Sequence, residues 1–418
     1  MAGERNYWQL LANGTFFRLA THISGVTTVL PYIATELGGD AILVALLVPL
    51  YTVGALLGMT LAPTVLRVTT AIAVLMVAIA GLLTVLTAVN ATVVGLWCAC
   101  DGSALELRLH SYPLLITSLL IGVVTGGSGV IYPMVMSTLL SPQRRSDLLL
   151  RQTGYGAALA VLVTASSIGY LSNLEPQEQD ADLLWLGAAA LTISTLCCLG
   201  LKSDSAEMMA GPARITDVLR QGYGYLRQNL WLRRYVIIHL VFLAVTLAPM
   251  FFAIYTASSL GPDNGDLERF LVFSGCGLLI GIPFWRLVRR RLGTRGMYAC
   301  SAILTAATGI LCIVSRQWQL LPTLWSFGLV LLLAAVANQG VFPASQDWIM
   351  SKVEEDAAAV VLSFSQILVS VGMIVVGFGL AIAAESGGAI WPLVMMTGLA
   401  SLALLAVIWV PAVVRIPA

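Results

Sequence analysis

Residues 202–234 read KSDSAEMMAGPARITDVLRQGYGYLRQNLWLRR, the longest polar interruption in a chain that is otherwise a series of apolar runs. Six runs precede it, near 16–37, 40–65, 69–89, 112–140, 148–171 and 183–201. Six follow, near 235–259, 268–288, 296–315, 320–345, 357–384 and 389–414. A helix needs roughly 20 predominantly apolar residues to cross the hydrocarbon core of a bilayer. The expected fold is therefore an all-α membrane protein. Its twelve transmembrane helices form two pseudo-symmetric six-helix bundles, 1–201 and 235–418, joined by a cytoplasmic amphipathic linker, 202–234. Within the linker, residues 214–234 predict a helix with Ile215, Val218, Leu219, Leu226 and Leu230 near one face. Arg214, Arg220 and Arg227 fall elsewhere on it, as on a helix lying in the membrane interface.

Composition agrees. Hydrophobic residues make up 58% of the 418 and charged residues 10%, with a mean hydropathy of +0.90. That is too little charge to cover a soluble protein of this length. A net charge of +1 gives no basis for nucleic-acid binding. The distribution of charge is more informative than its sum. Of 22 Lys and Arg, all but Arg108, Arg269 and Arg316 lie on one side once the runs are threaded through a bilayer. Positive charge collects on the cytoplasmic side, which places both termini there, in a bacterial plasma (inner) membrane. The run 16–37 is long enough to read as a span and not a cleaved leader. The segment 90–111 reads in two ways, as an extension of the third helix or as an outer segment before the polar turn 101–111. Seven Cys lack metal-ligand spacing, and the Cys98/Cys100 and Cys197/Cys198 pairs read as small packing residues.

The halves echo each other. The first run carries His22 and Pro31, the seventh His239 and Pro249. The fourth ends Gly129-Val-Ile-Tyr-Pro133 before Ser141, the tenth Gly340-Val-Phe-Pro343 before Ser351. Matching Gly/Pro interruptions in two halves point to a transporter built from repeats. Twelve spans, a six-plus-six division, a long amphipathic central loop and inside termini resemble the major facilitator superfamily. After the eighth run, Arg291-Leu-Gly293-Thr-Arg295 matches the R-x-G-x-R part of that family's loop signature. Arg290 stands where the signature has an acid and Arg286 where it has a glycine; after the second run only Arg67 remains. The fourth run lacks the intramembrane Arg of many proton-coupled members. The fifth has Gly154, Gly156 and Gly169 but no Gly-Pro element like that of the drug/proton antiporters. The resemblance implies a substrate cavity between the two halves and a gating role for Arg291, Gly293 and Arg295.

An ionisable residue inside a span costs about 2.5–3.5 kcal/mol at its centre, so it usually faces a cavity or a partner. Arg18 and His22 are an i,i+4 pair in the first run, and with Thr21, Ser24, Thr28 and Tyr32 they make a polar stripe at helical spacing. The stripe is expected to face the cavity; for Arg18 alone, snorkelling to the cytoplasmic headgroups is the other reading. Arg18, His22, His239 and Asp347 are the candidates for a proton or charge relay, since an imidazole titrates in the physiological range. Asp347 reads first as a partner for inner-loop Arg and second as a substrate or relay group. Ser128, Tyr132, Gln339 and Gln366 complete the expected cavity lining as neutral hydrogen-bonding groups.

Gly126-Gly127-Ser128-Gly129 lies within a span, where small residues serve close helix packing. No hydrolase elbow, P-loop, zinc helix or redox motif appears, so no enzyme activity and no cofactor are expected. The expected function is secondary active transport by alternating access, the partners being a small-molecule substrate, the lipid bilayer and, as candidate coupling ion, the proton. A cavity poor in fixed charge favours a neutral, amphipathic or weakly ionised solute over a doubly charged one. Export from a monomeric carrier is the leading expectation. A facilitator or importer of a small metabolite, and a non-transporting scaffold or sensor, are the alternatives.

Overall fold

The computed structural model describes residues 2–68, 72–98, 104–140, 142–171, 173–174, 176–201, 215–260, 267–318, 324–350, 352–353 and 355–410. They form α1 (Ala2–Ile23), α2 (Val29–Glu36), α3 (Ala41–Val68), α4 (Ile72–Cys98), α5 (Ala104–Leu139), α6 (Pro142–Leu171) and α7 (Pro176–Cys198). After these come α8 (Ile215–Gln228), α9 (Leu230–Val241), α10 (Leu243–Leu260), α11 (Leu267–Trp318), α12 (Leu324–Met350), α13 (Glu355–Gly387) and α14 (Ile390–Ala406). Among the described residues there is no strand. Ten helical stretches are long and apolar enough to span a bilayer. One of them, within the 52-residue α11, is long enough to cross twice. It bends at Gly293, whose φ of 64° and ψ of −165° suit only a residue without a Cβ. Counting α11 twice and the interrupted α1–α2 once brings the ten to twelve.

Three boundaries differ from the sequence reading, each for a physical reason. The first helix begins at Ala2, not near Phe16, because its polar residues are bonded inside the protein: Asn13 Nδ2 donates to Ser194 O (3.1 Å) and Ser194 Oγ (2.8 Å) of α7. That same passage is interrupted, since Ser24–Thr28 leave the helix and Gly25 O accepts from the amides of Val29 (2.9 Å), Leu30 (3.3 Å) and Thr28 (3.4 Å). A Cβ at Gly25 would stand 2.5 Å from Thr21 O, so this unwinding needs glycine. Lastly, α4 runs on to Cys98 and α5 starts at Ala104, which extends the third helix into the segment that read in two ways.

By internal packing the chain divides into Met1–Gly211 with Gly261–Gly275, and Pro212–Leu260 with Cys276–Ala418. In the N-terminal unit, α3 and α5 approach closely enough that a Cβ on Gly54, Gly58, Gly122 or Gly126 would strike the facing backbone. This is small-xxx-small packing on both helices, the arrangement lipid favours because apolar tails give helices no hydrophobic reason to associate. Helix α1 lies against α6 and α7. Outward, α4 presents Val74, Leu82, Val85 and Leu96, all exposed, as a lipid-facing surface requires.

In the C-terminal unit a dense cluster joins Tyr235, Phe242, Trp285, Tyr298 and Trp348. The linker helix α8 packs on α13, with Gly222 directly beneath Phe364. Its buried residues are Val218 and Gly222, with Leu226 half-buried. Leu219 (40% exposed) faces outward with Arg220 and Arg227, so the amphipathic helix is narrower on its protein side than the sequence suggests, and Leu230 (60%) belongs to α9.

Candidate functional site

The N-terminal unit holds a pocket of about 200 Å³ whose walls come from α1, α4, α5 and α6. Phe17, Met76, Ile79, Ala80, Leu83 and Leu149 make it apolar; Asn13, Arg18, Ser128, Tyr132 and Gln152 are its polar groups. Its α1–α6 side is built by reciprocal packing. The Gln152 amide lies over Gly14, and the Arg18 stem lies over Gly156, so each glycine makes room for the long polar side chain of the other helix. Gln152 is buried and spends its amide hydrogens on Leu10 O (2.8 Å) and the Tyr132 hydroxyl (2.6 Å). Asn13 is fixed to α7 by the bonds already given.

Depth follows from the facing helices. Gly156 lies nine residues beyond Asp147, about 14 Å along α6 at 1.5 Å per residue, and the exposed Asp147–Arg151 ion pair occupies the first turn of that stretch. As a residue Arg18 is exposed, with its side chain lining the pocket. The break in the first helix sits near mid-depth, because Ser24 occupies the space left by Gly187, close to the centre of the run Glu178–Cys198.

Of the residues singled out in the sequence, the pocket brings together Arg18, Ser128 and Tyr132. The rest of the first-helix stripe divides. Thr21 is exposed, its hydroxyl donating to Arg18 O (3.1 Å). Ser24 donates to Ala20 O (2.8 Å), and Thr28 is half-buried at the end of the break. Tyr32 is 2% exposed and packs edge-on against Phe270 at 5.8 Å. His22, half-buried, bonds through Nε2 to Leu271 O (2.9 Å); because a carbonyl only accepts, that nitrogen carries the proton.

His239 is held at both nitrogens. Nδ1 donates to Tyr235 O (2.9 Å) and Nε2 accepts from the Tyr298 hydroxyl (2.9 Å), which suits a neutral ring. Gln339 donates to Leu278 O (3.1 Å) and covers Gly281, stapling α12 to α11. Gln366 is half-buried on α13. Arg291 is exposed and Arg295 half-buried on either side of the Gly293 bend. The Asp347 side chain lies outside the described residues. Asp147 is engaged within its own unit, by Tyr7 Oη (2.6 Å) and Arg151 Nε (3.0 Å). Two pocket residues, Asn13 and Gln152, were not singled out. Asn13 precedes the run as read from hydropathy, and Gln152 follows Arg151, where a polar residue looks like cytoplasmic surface.

No protein-family model matches the chain. It is 32% identical over 415 residues to the uncharacterized protein Rv2209 of Mycobacterium tuberculosis, covering 98% of this chain and 78% of that one. Among solved structures it is similar to a bacterial homologue of the iron transporter ferroportin in an inward-facing state, with a TM-score of 0.69, 13% identity, and coverage of 97% and 98% of the two chains. A D-xylose–proton symporter superposes with a TM-score of 0.68 at 13% identity and the same coverage. At such identities the likeness is one of fold.

Proposed function

The chain belongs to the family of the mycobacterial protein Rv2209 and has the fold of the major facilitator superfamily, and from that premise we propose that it is a secondary transporter working by alternating access. It is a carrier and not an enzyme. The observation that carries this reading is the interrupted first helix beside a polar-and-apolar pocket between spanning helices. Irregular backbone inside a membrane is tolerated where protein or a cavity satisfies it, and discontinuous helices mark the binding regions of many transporters.

The substrate is a small neutral or amphipathic solute, exported across a bacterial plasma membrane by a monomer with both termini in the cytoplasm. Protons are the candidate coupling ion. Between the two His candidates, His22 is the better placed to exchange one, since His239 has both nitrogens committed. Gln339 is read as a helix staple, and the Arg291–Arg295 bend as part of a conformational hinge.

Reconstitution tests this directly. Purified protein in liposomes is expected to move amphipathic solutes, with a rate that responds to an imposed pH gradient. Solute movement that ignores the gradient would make it a facilitator. No movement of any solute, with a pocket closed to reagents, would make it a scaffold. Orientation is tested separately: Glu178→Cys is expected to label from outside, and Arg145→Cys and Arg291→Cys only from inside.

A further inference from the structure

Hydrogen-bond accounting gives the pocket a polarity that its composition does not. Gln152 has used both amide hydrogens, one of them on Tyr132, so the Tyr132 hydroxyl accepts there and keeps its own hydrogen to give. The Ser128 hydroxyl and the Arg18 guanidinium have no hydrogen bond or ion pair among the described residues. Among the described residues, Arg18 is the one charged member of the lining. The nearest cation on α6, Arg151, already faces Asp147 (3.0 Å). What the pocket offers is a set of unspent donors around a single positive charge, between helices that span the membrane. A cation in an apolar-walled pocket without a counter-charge is costly, and an anion brought by the ligand offsets that cost.

We infer that the pocket is a subsite for an amphipathic monoanion, the acidic group held by Arg18, Tyr132 and Ser128 and the apolar body lying against Phe17, Met76 and Leu83. The inference rests on the transporter reading only in calling the ligand a substrate. One charge is matched and a second is not, so a dianion is excluded by desolvation. Volume sets the size: a cavity of about 150 Å³ takes up benzene, so about 200 Å³ suits one ring with one carboxylate.

Benzoate, the neutral isostere benzyl alcohol and the dianion phthalate are suitable probes, titrated against the full-length protein in an uncharged detergent. Benzoate is expected to bind more tightly than either of the others. Arg18→Gln is expected to weaken benzoate by about tenfold to a hundredfold, the range of a hydrogen bond to a charged group, and Arg18→Lys to retain part of the affinity. Unchanged benzoate affinity in Arg18→Gln, or benzyl alcohol binding as tightly as benzoate, overturns the proposal. Should Arg18→Gln not fold, Ser128→Cys with Arg18 intact decides: benzoate is expected to slow its maleimide labelling and benzyl alcohol not to, and equal protection overturns the proposal. Phosphatidylglycerol displacing benzoate at equal concentration would assign the monoanion to a lipid headgroup and overturn the solute. Arg18-dependent binding with no movement in liposomes leaves the subsite and removes transport. Movement of neutral solutes without Arg18-dependent binding does the reverse.

Discussion

Each half of the chain begins with a broken helix just past a histidine, and the two breaks are filled in opposite ways. In the N-terminal unit the chain unwinds over Ser24–Thr28 around a glycine, with Thr27 exposed and the pocket nearly two turns away. In the C-terminal unit only Phe242 separates α9 from α10, and its ring, 1% exposed, packs edge-on against Tyr298 at 4.9 Å. The histidines follow suit. His22 is half-buried with one ring nitrogen bonded to a carbonyl. His239 is enclosed by Tyr235, Tyr298 and Trp348 and bonded at both nitrogens. The interruption is open in one unit and closely packed in the other.

The largest effect that would break this contrast is at Phe242. Phe242→Ala removes a ring from a close-packed cluster, and about 3–5 kcal/mol of stability is expected to go with it. Thr27→Ala, at the matching break, is expected to stay within about 0.5 kcal/mol, as exposed substitutions do. Thermal unfolding in detergent measures both, and equal losses would mean that the two breaks are packed alike.

Next come the histidines. His239→Ala removes the Tyr298–His239 hydrogen bond and opens a space among three aromatic rings, so about 2–3 kcal/mol is expected to be lost. His22→Ala gives up one hydrogen bond at a half-buried site and is expected to cost about 1 kcal/mol. The pH profile of transport sharpens the comparison: it is expected to move in His22→Ala. A folded His22→Ala protein with the profile of the wild type would remove His22 from proton handling.

A smaller effect is expected at Gly25. Its Cβ would press on Thr21 O at 2.5 Å, so Gly25→Ala is expected to cost about 1–2 kcal/mol in stability and more in transport rate, since the break has to be re-formed around it. If stability falls and the rate does not, the unwound segment is structural alone.

How far these features were legible depends on what the residues bond to. Apolar runs of 20 residues declare themselves because lipid leaves them no alternative to helix. The start of α1 does not, because Asn6 and Asn13 lower its hydropathy while being buried in protein, and partners in α7 are invisible along the chain. Arg286–Arg295 reads as a loop by charge, yet Arg is a good helix former, and only Gly293 interrupts α11 there. The Gly126–Gly129 stretch was legible as packing, and Gly126 meets α3 as such a glycine should. Three pocket residues were legible as polar groups in spans. Gln152 and Asn13 were not, because hydropathy places both at span ends.

The mildest perturbation is a single cysteine along the first helix, read by its rate of reaction with a small polar thiol reagent. A continuous helix would make positions 21, 24, 28 and 32 one reactive stripe. The break predicts another order. Thr21→Cys and Thr27→Cys are expected to react fastest, because both side chains are exposed and 27 lies off the helical stripe altogether. Ser24→Cys and Thr28→Cys are expected to be slower, the first being pressed against Gly187. Tyr32→Cys is expected to react little while Phe270 covers it, in the company of Val26 (5% exposed), Val29 (1%) and Ile33 (0%). Stability should hardly change in the exposed pair, so the rates report access and not unfolding. Should position 32 react with the speed of 21, and 27 stay silent, the first helix runs unbroken through the membrane, and its likeness to the C-terminal joint is lost.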